Sequence, residues 1–293
     1  MFIIRILIIS LLFFISLDGY AGNMRNAKEC CSTNLIEIQD ANQSRIPPFF
    51  GVAFYKPNYI LPYYYTGSPY NNAYIDNTPD DESINNSELK FQFSFKAPIW
   101  QNIFHSYSSL FVAYTQLSYF QLYNKKTFVR ESDYEPEIFL ANRFNYAFGS
   151  NWLLNNVNVG VVHESNGFGN DLQRGWDRIY LEAIASNDKW VVSLQPWYVF
   201  GKNDKNSDIT KYLGYGRILT SFEYCQHKFT LRAYNLIENG SKYPSGEFTY
   251  SFPLIKYFKG YIQVFSGYGQ SLLEFNHRTN SAGIGFAIGD PSS

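Results

Sequence analysis

The chain has 293 residues and a formal net charge of −1, and it contains no long basic run. This charge balance argues against a nucleic-acid-binding protein, so we expect no nucleic-acid partner. Aromatic residues make up 19% of the chain, while the mean hydropathy is slightly polar at −0.26. The three cysteines, Cys30, Cys31 and Cys225, lack zinc-type spacing, and the sequence does not decide whether any of them pair.

Residues 1–21 have the features of a secretory signal peptide. Arg5 supplies a positive charge, Ile6–Leu17 an apolar core, and Gly19-Tyr20-Ala21 a cleavage site with small residues at its first and third positions. The alternative is a membrane anchor helix, but the apolar run is short for a span. Residues 22–48 are polar and irregular, which predicts a periplasmic N-terminal segment. The main domain is therefore expected over residues 49–293.

The main domain reads as a series of β-strands separated by polar loops. Its segments alternate polar and apolar residues, and none is apolar for long enough to make a transmembrane helix. An exported, aromatic-rich chain of this kind is typical of a transmembrane antiparallel β-barrel of the outer membrane. A soluble periplasmic β-sandwich is the competing class, but it needs fewer aromatic residues. We count about twelve strands, an even number as a closed antiparallel barrel prefers.

For two of these strands the sequence predicts specific bounds. Phe49–Tyr65 is predicted to form the first strand region, with one face composed of Tyr59, Leu61, Tyr63 and Tyr65. Thr210–Tyr224 is predicted to be a continuous strand.

A barrel of this size has an interior filled mostly by side chains, and buried charges need partners. We therefore expect a set of polar residues to face inward and bond to one another: Glu135, Glu137, Arg178, Glu182 and Gln195.

A histidine, a hydroxyl and a carboxylate are predicted to meet at the end of one hairpin. Residues 155–165 alternate, so His163 and Ser165 continue the apolar face of Val157, Val159 and Val161. The next strand opens at Trp176, with Asp177 at the end of its apolar face. If the two strands pair, Asp177 lies beside His163, which makes a nucleophile, base and orienting group. An isolated His-x-Ser is usually coincidental, and the third residue favours the catalytic interpretation.

Several short motifs, in this order along the chain, carry a family resemblance. They are Tyr114-Thr115-Gln116, Tyr134-Glu135-Pro136-Glu137, His163-x-Ser165-Asn166-Gly167, Trp176-Asp177-Arg178, Pro196-Trp197-Tyr198-Val199, Asp208-Ile209-Thr210-Lys211-Tyr212 and Ser266-Gly267-Tyr268-Gly269-x-Ser271-Leu272. With them the chain resembles the outer-membrane phospholipase A family over nearly all of its length after the signal. The resemblance implies a twelve-stranded barrel, a lipid-facing Ser-His-Asn triad, calcium dependence and activation by dimerisation.

The resemblance also implies roles for individual residues. Ser165 corresponds to the nucleophile and His163 to the general base. Asp177 stands where the family commonly has Asn, and either residue type can hold the histidine in the required tautomer. The backbone amide of Gly167 corresponds to the oxyanion donor.

The implied calcium site departs from the family pattern. Its ligands would be the Phe168 carbonyl, Gln173 at the position of a family serine, and Thr127 of the partner subunit. Asp204-Lys205 stands where the family carries acidic residues. Because calcium prefers several oxygens, charged ones included, we expect a weak Ca²⁺ site.

These observations together predict a phospholipase that hydrolyses acyl esters of phospholipids and lysophospholipids, of A1 or A2 type. It would act in the bacterial outer membrane as a homodimer, with its active site towards the outer leaflet. A non-catalytic small pore or structural barrel is one alternative. A lipid A esterase, which shares the lipid-facing chemistry, is the other.

Overall fold

The computed structural model describes residues 51–74, 76–103, 107–149, 151–236, 242–255 and 258–288. The predicted signal peptide and N-terminal segment, with Cys30 and Cys31, lie outside this part of the chain. Within it, no helix is long and apolar enough to cross a membrane.

The described residues form thirteen strands, of which twelve close into a barrel. The strands are β1 (Ala53–Phe54), β2 (Asn58–Thr66), β3 (Ser87–Trp100), β4 (Ser108–Gln121), β5 (Phe128–Phe148), β6 (Trp152–Ser165), β7 (Gly175–Ser186), β8 (Trp190–Lys202), β9 (Gly216–Tyr224), β10 (His227–Tyr234), β11 (Ser245–Ile255), β12 (Phe258–Tyr268) and β13 (Arg278–Ile288). From β2 to β13 each strand pairs antiparallel with the next, and β13 pairs with β2. The short β1 pairs with Phe95 and Lys96 in the second half of β3. The predicted closed antiparallel barrel of twelve strands is confirmed.

The two ends of the barrel differ in the length of their connections. The end at which β6 finishes carries the connections 67–86, 122–127, 166–174, 203–215, 235–244 and 269–277. The opposite end carries tight turns such as 187–189 and 225–226. Long loops at one end and short turns at the other are the pattern of outer-membrane barrels.

The prediction that Tyr59, Leu61, Tyr63 and Tyr65 share one face of the first strand is wrong. Tyr59 and Leu61 are buried in the barrel, whereas Tyr63 and Tyr65 are 49% and 44% exposed. The register of β2 against β3 shifts between Leu61 and Tyr64. Pro62 lies within this shift and has no N–H to give to a ladder, which is why prolines in strands occur at such irregularities. One extra residue at this point reverses the direction of every side chain that follows.

The prediction of a continuous strand over Thr210–Tyr224 is also wrong at its start. A short helix, α1 (Ile209–Leu213), precedes β9, which begins only at Gly216. Ile209 is fully buried and packs in an interior cluster that includes Leu272 and Phe275 from the 269–277 loop. These apolar side chains fill the barrel beneath its long-loop end.

The predicted polar residues lie inside the barrel, but only Arg178 and Glu135 contact each other, at 3.7 Å; the other hydrogen bonds are made to further interior residues. Glu135 accepts from Lys56 at 2.8 Å, and Glu137 accepts from Tyr55 at 2.9 Å. Glu182 accepts from Asn158 and from Ser193, and Glu164 accepts from Arg178. Gln195 is buried as well.

Candidate active site

The pairing of β6 with β7 places two side chains of the candidate site directly opposite each other. His163 and Asp177 are register partners, and His163 Nδ1 lies 2.7 Å from Asp177 Oδ1. A carboxylate only accepts hydrogen bonds, so Nδ1 is the donor in this pair, and in a neutral imidazole Nε2 is then the acceptor. The two side chains are 50% and 37% exposed, and they lie on the outside of the barrel. His163 and Asp177 therefore have the mutual geometry that orients a histidine as a general base.

Ser165 is the last residue of β6, two positions after His163 and on the same outer face. It pairs with Tyr134 on one side and Gly175 on the other. The neighbouring outward side chains are large and apolar and are exposed to about the same degree: Val159, Val161, Ile179 and Leu181. A hydroxyl, an imidazole and a carboxylate thus border the surface that a barrel presents to lipid.

The loop after Ser165 is folded around the side chain of Asn166. Asn166 is 3% exposed; its Nδ2 donates to the Leu172 carbonyl at 2.8 Å, and its Oδ1 accepts from the Arg174 amide at 2.9 Å. These bonds close the loop across its base and fix the residues between them. Next in the chain, Gly167 has a φ of 66°, and a Cβ there would lie 2.7 Å from the ring of Tyr134. Glycine is therefore required both by the backbone and by the space.

A second buried asparagine fastens this loop to its neighbour. Asn206 is fully buried; it donates to the Gly175 carbonyl at 3.1 Å and accepts from the Gly175 amide at 3.3 Å. Gly175 is the first residue of β7, two before Asp177. The sequence shows Asn206 only as one polar residue of a loop, and it offers no signal for this contact.

The predicted calcium ligands fit the ion poorly within one chain. Thr127 and Gln173 are exposed and Phe168 is half-buried, and all three offer neutral oxygens. The only carboxylate in the 166–174 loop belongs to Asp171, and its Oδ1 lies 2.6 Å from Lys205 Nζ.

Cationic side chains already bond the other oxygens of that loop. Arg174 Nη1 donates to the carbonyls of Asp171 and Gln173, both at 2.8 Å. The hydrogen bond and charge of Lys205 lower the pKa of the Asp171 carboxyl, so it stays ionised in this pair. Across the described part of the chain, no three His, Cys, Asp or Glu residues are grouped to hold a metal. Calcium prefers charged oxygens, so this donor set does not make a good site.

The inward side chains of the same two strands form a separate, buried group. Glu164 Oε2 accepts from Trp176 Nε1 at 2.9 Å and from Arg178 Nη2 at 2.6 Å. The Arg178 guanidinium also lies over the Trp176 ring at 4.0 Å. This group supports the hairpin from inside the barrel.

Comparison with known proteins identifies the family. Residues 35–288 match the family model described as Phospholipase A1. The chain belongs to the phospholipase A1 family. The Phospholipase A1 of Klebsiella pneumoniae is 36% identical over 238 residues, which cover 80% of this chain and 82% of that protein.

Solved structures of relatives share the fold. The outer membrane phospholipase A from Escherichia coli superposes with a TM-score of 0.80 at 34% identity, covering 87% of this chain and 97% of that one. The outer membrane phospholipase of Salmonella typhi, a dimer with bound calcium, gives a TM-score of 0.79 at 34% identity, covering 85% and 96%. This phospholipase A1 family member is thus an outer-membrane β-barrel, as predicted.

Proposed function

We propose that this chain hydrolyses the acyl esters of membrane phospholipids and lysophospholipids with a Ser165-His163-Asp177 triad on the outside of its barrel. The observation that carries the proposal is the 2.7 Å hydrogen bond between His163 and Asp177 on the lipid-facing side. The Phospholipase A1 relatives support the reaction class.

The reaction follows from the atoms that the triad presents. Nε2 of His163 removes the proton from Ser165 Oγ as this oxygen attacks the ester carbonyl. The Gly167 amide donates to the oxyanion, and such a donor lowers the barrier by about 3–4 kcal/mol. The imidazolium then protonates the leaving alcohol, which departs as a lysophospholipid or a glycerol derivative. Water, activated by the same histidine, hydrolyses the acyl-serine and releases the fatty acid.

Asp177 holds His163 in the tautomer that the reaction needs. Its Oδ1 accepts the Nδ1–H, so Nε2 faces away from it as the base. Asp177 also stabilises the imidazolium by its charge. An asparagine at this position would orient the ring through the same kind of acceptor.

The position of the site suggests which lipids reach it. Val159, Val161 and Ile179 lie on the same outer face, so an acyl chain contacts the barrel without leaving the membrane. The long-loop end of an outer-membrane barrel normally faces outward, which directs the site towards the outer leaflet. Phospholipids normally occupy the inner leaflet, so access of substrate would itself control the activity.

We further propose that the active form is a homodimer. Gln116 pairs with Tyr134 in register, and Tyr134 pairs with Ser165, so the three lie in one row across the outer surface. Gln116 bonds to Tyr114 and Ser118, both at 3.0 Å. A polar row of this kind is costly against lipid, and a second barrel would cover the end of it that carries Gln116. The dimer with bound calcium formed by the Salmonella typhi relative supports this arrangement.

The test uses purified full-length protein with phosphatidylcholine in detergent micelles. We expect release of fatty acid by the wild type, and Ser165→Ala is expected to lower kcat by about 10⁴-fold or more while the barrel still folds. Comparable hydrolysis by this variant would overturn the catalytic assignment. Ion conductance without hydrolysis would support the non-catalytic pore, and hydrolysis of lipid A alone would support the lipid A esterase.

A further inference from the structure

The strand that follows β7 carries an irregularity directly beside Asp177. Asp177 pairs with Gly201 of β8, but the next residue, Arg178, pairs with Val199. Phe200 is therefore an extra residue without a partner of its own on β7. Such a β-bulge re-aims the side chains around it, and bulges are frequent next to active sites.

The bulge decides which residue faces Asp177. Tyr198 pairs with Ile179, and both point outward with 68% and 43% exposure. Val199 pairs with Arg178 and packs against the interior cluster. With regular pairing from this point, Phe200 would be the partner of Asp177 and would point outward beside it. Because of the bulge, Gly201 and not Phe200 lies opposite Asp177, and glycine is the one residue with no Cβ.

The space beside Asp177 is too small for any other residue. A Cβ built on Gly201 would overlap with Asp177 Oδ2 and would lie 3.1 Å from both Cβ and Cγ of that side chain. Gly201 does not have a left-handed φ, so its backbone alone does not require glycine. Asp177 Oδ1 is held by His163 at 2.7 Å, so the carboxylate cannot turn away without losing that bond.

We propose that Gly201 is a positioning residue for the triad: its missing side chain leaves the space that holds the Asp177 carboxylate against His163. This inference rests on the proposed function. It assigns a role in the reaction to β8, a strand that contributes none of the predicted site residues.

The test compares alanine at two strand glycines in the purified protein. In Gly201→Ala the new methyl group displaces the carboxylate, so kcat is expected to fall by about a hundredfold, as for a misplaced catalytic group, with KM unchanged. The matched control is Gly246→Ala, where a Cβ would meet only the Arg232 carbonyl at 3.7 Å, and wild-type activity is expected. Wild-type kcat in Gly201→Ala would overturn the proposal.

A double-variant cycle separates positioning from a general defect of the strand. In the Asp177→Ala background only the 3.1 Å contact to Asp177 Cβ remains, so Gly201→Ala is expected to cause no further loss of kcat. An equal loss in both backgrounds would show that the glycine acts on the barrel rather than through Asp177. If Gly201→Ala alone fails to fold, the double variant is expected to recover the folded barrel, and its failure would also overturn the proposal.

The Ser165→Ala variant distinguishes failure of this proposal from failure of the proposed triad. Full hydrolysis by Ser165→Ala would remove the proposed function. Loss of activity in Ser165→Ala together with wild-type activity in Gly201→Ala would remove only the role of Gly201.

Discussion

The outer and inner side chains of the β6–β7 hairpin alternate along the same strands, yet they form two different environments. Outside, His163 and Asp177 are 50% and 37% exposed and share one hydrogen bond. Inside, the side chains of Glu164 and Arg178 are 21% and 11% exposed, and Trp176 is almost fully buried. Because strand residues alternate in direction, a reactive face and a supporting face are one residue apart. The hairpin thereby keeps its reactive groups accessible while its position is fixed from the interior.

Removal of the outer carboxylate is expected to have the largest effect on catalysis. Asp177→Ala leaves His163 without its acceptor, and kcat is expected to fall by about 10²- to 10⁴-fold. Asp177→Asn is expected to keep appreciable activity, because the amide oxygen still accepts the Nδ1–H. The measurement is kcat on phosphatidylcholine micelles for both variants. A loss of about 10⁴ in the asparagine variant would show that the triad depends on the charge of Asp177.

The inner face is tested by a variant that should affect stability more than chemistry. Glu164→Ala removes the acceptor of both Trp176 Nε1 and Arg178 Nη2, and buried donors left without partners cost about 1–3 kcal/mol. We expect a lower free energy of unfolding in urea, measured in lipid vesicles, and kcat per folded molecule close to wild type. A loss of kcat as large as that of Asp177→Ala, without a change in stability, would show that the two faces are not separate in function.

A smaller effect is expected on the calcium dependence of hydrolysis when Lys205 of the 203–215 connection is changed. Lys205 pairs with Asp171, so Lys205→Asp exchanges a repelling charge for a ligand and is expected to lower the half-maximal calcium concentration for hydrolysis several-fold. Lys211→Asp, in the same 203–215 connection but next to Tyr212 and Tyr243, is the matched control. Equal calcium titrations for wild type and Lys205→Asp would contradict the expectation that Lys205 weakens calcium binding at this loop. Cross-linking in the same samples reports whether the ion also affects the dimer.

Alternation along the strands made much of the barrel and part of the site predictable. Val157, Val159 and Val161 place His163 on an apolar face, and Asp177 ends the matching face of the next strand. Antiparallel pairing then requires the two to meet, and they do. The inward position of Glu135, Glu137 and Glu182 follows from the same rule.

Features that depend on one extra residue were not predictable. The shift at Pro62 turns Tyr63 and Tyr65 outward, and the bulge at Phe200 places Gly201 opposite Asp177. Periodicity alone cannot locate a bulge, because the residues on either side of it still alternate. The hydrogen bond from Asn206 to Gly175 joins positions 31 residues apart. Asn206 lies in a loop, where no periodic pattern exists.

In the proposed mechanism, Ser165 is a nucleophile activated by His163 on the outer face of the barrel. The most direct test is to react the purified protein with a sulfonyl fluoride and to locate the modified residue by mass spectrometry. We expect modification of Ser165 alone, loss of hydrolysis in proportion to it, and no modification in His163→Ala. An unmodified Ser165 in a protein that still hydrolyses phospholipid, or inactivation through a different residue, would contradict this mechanism.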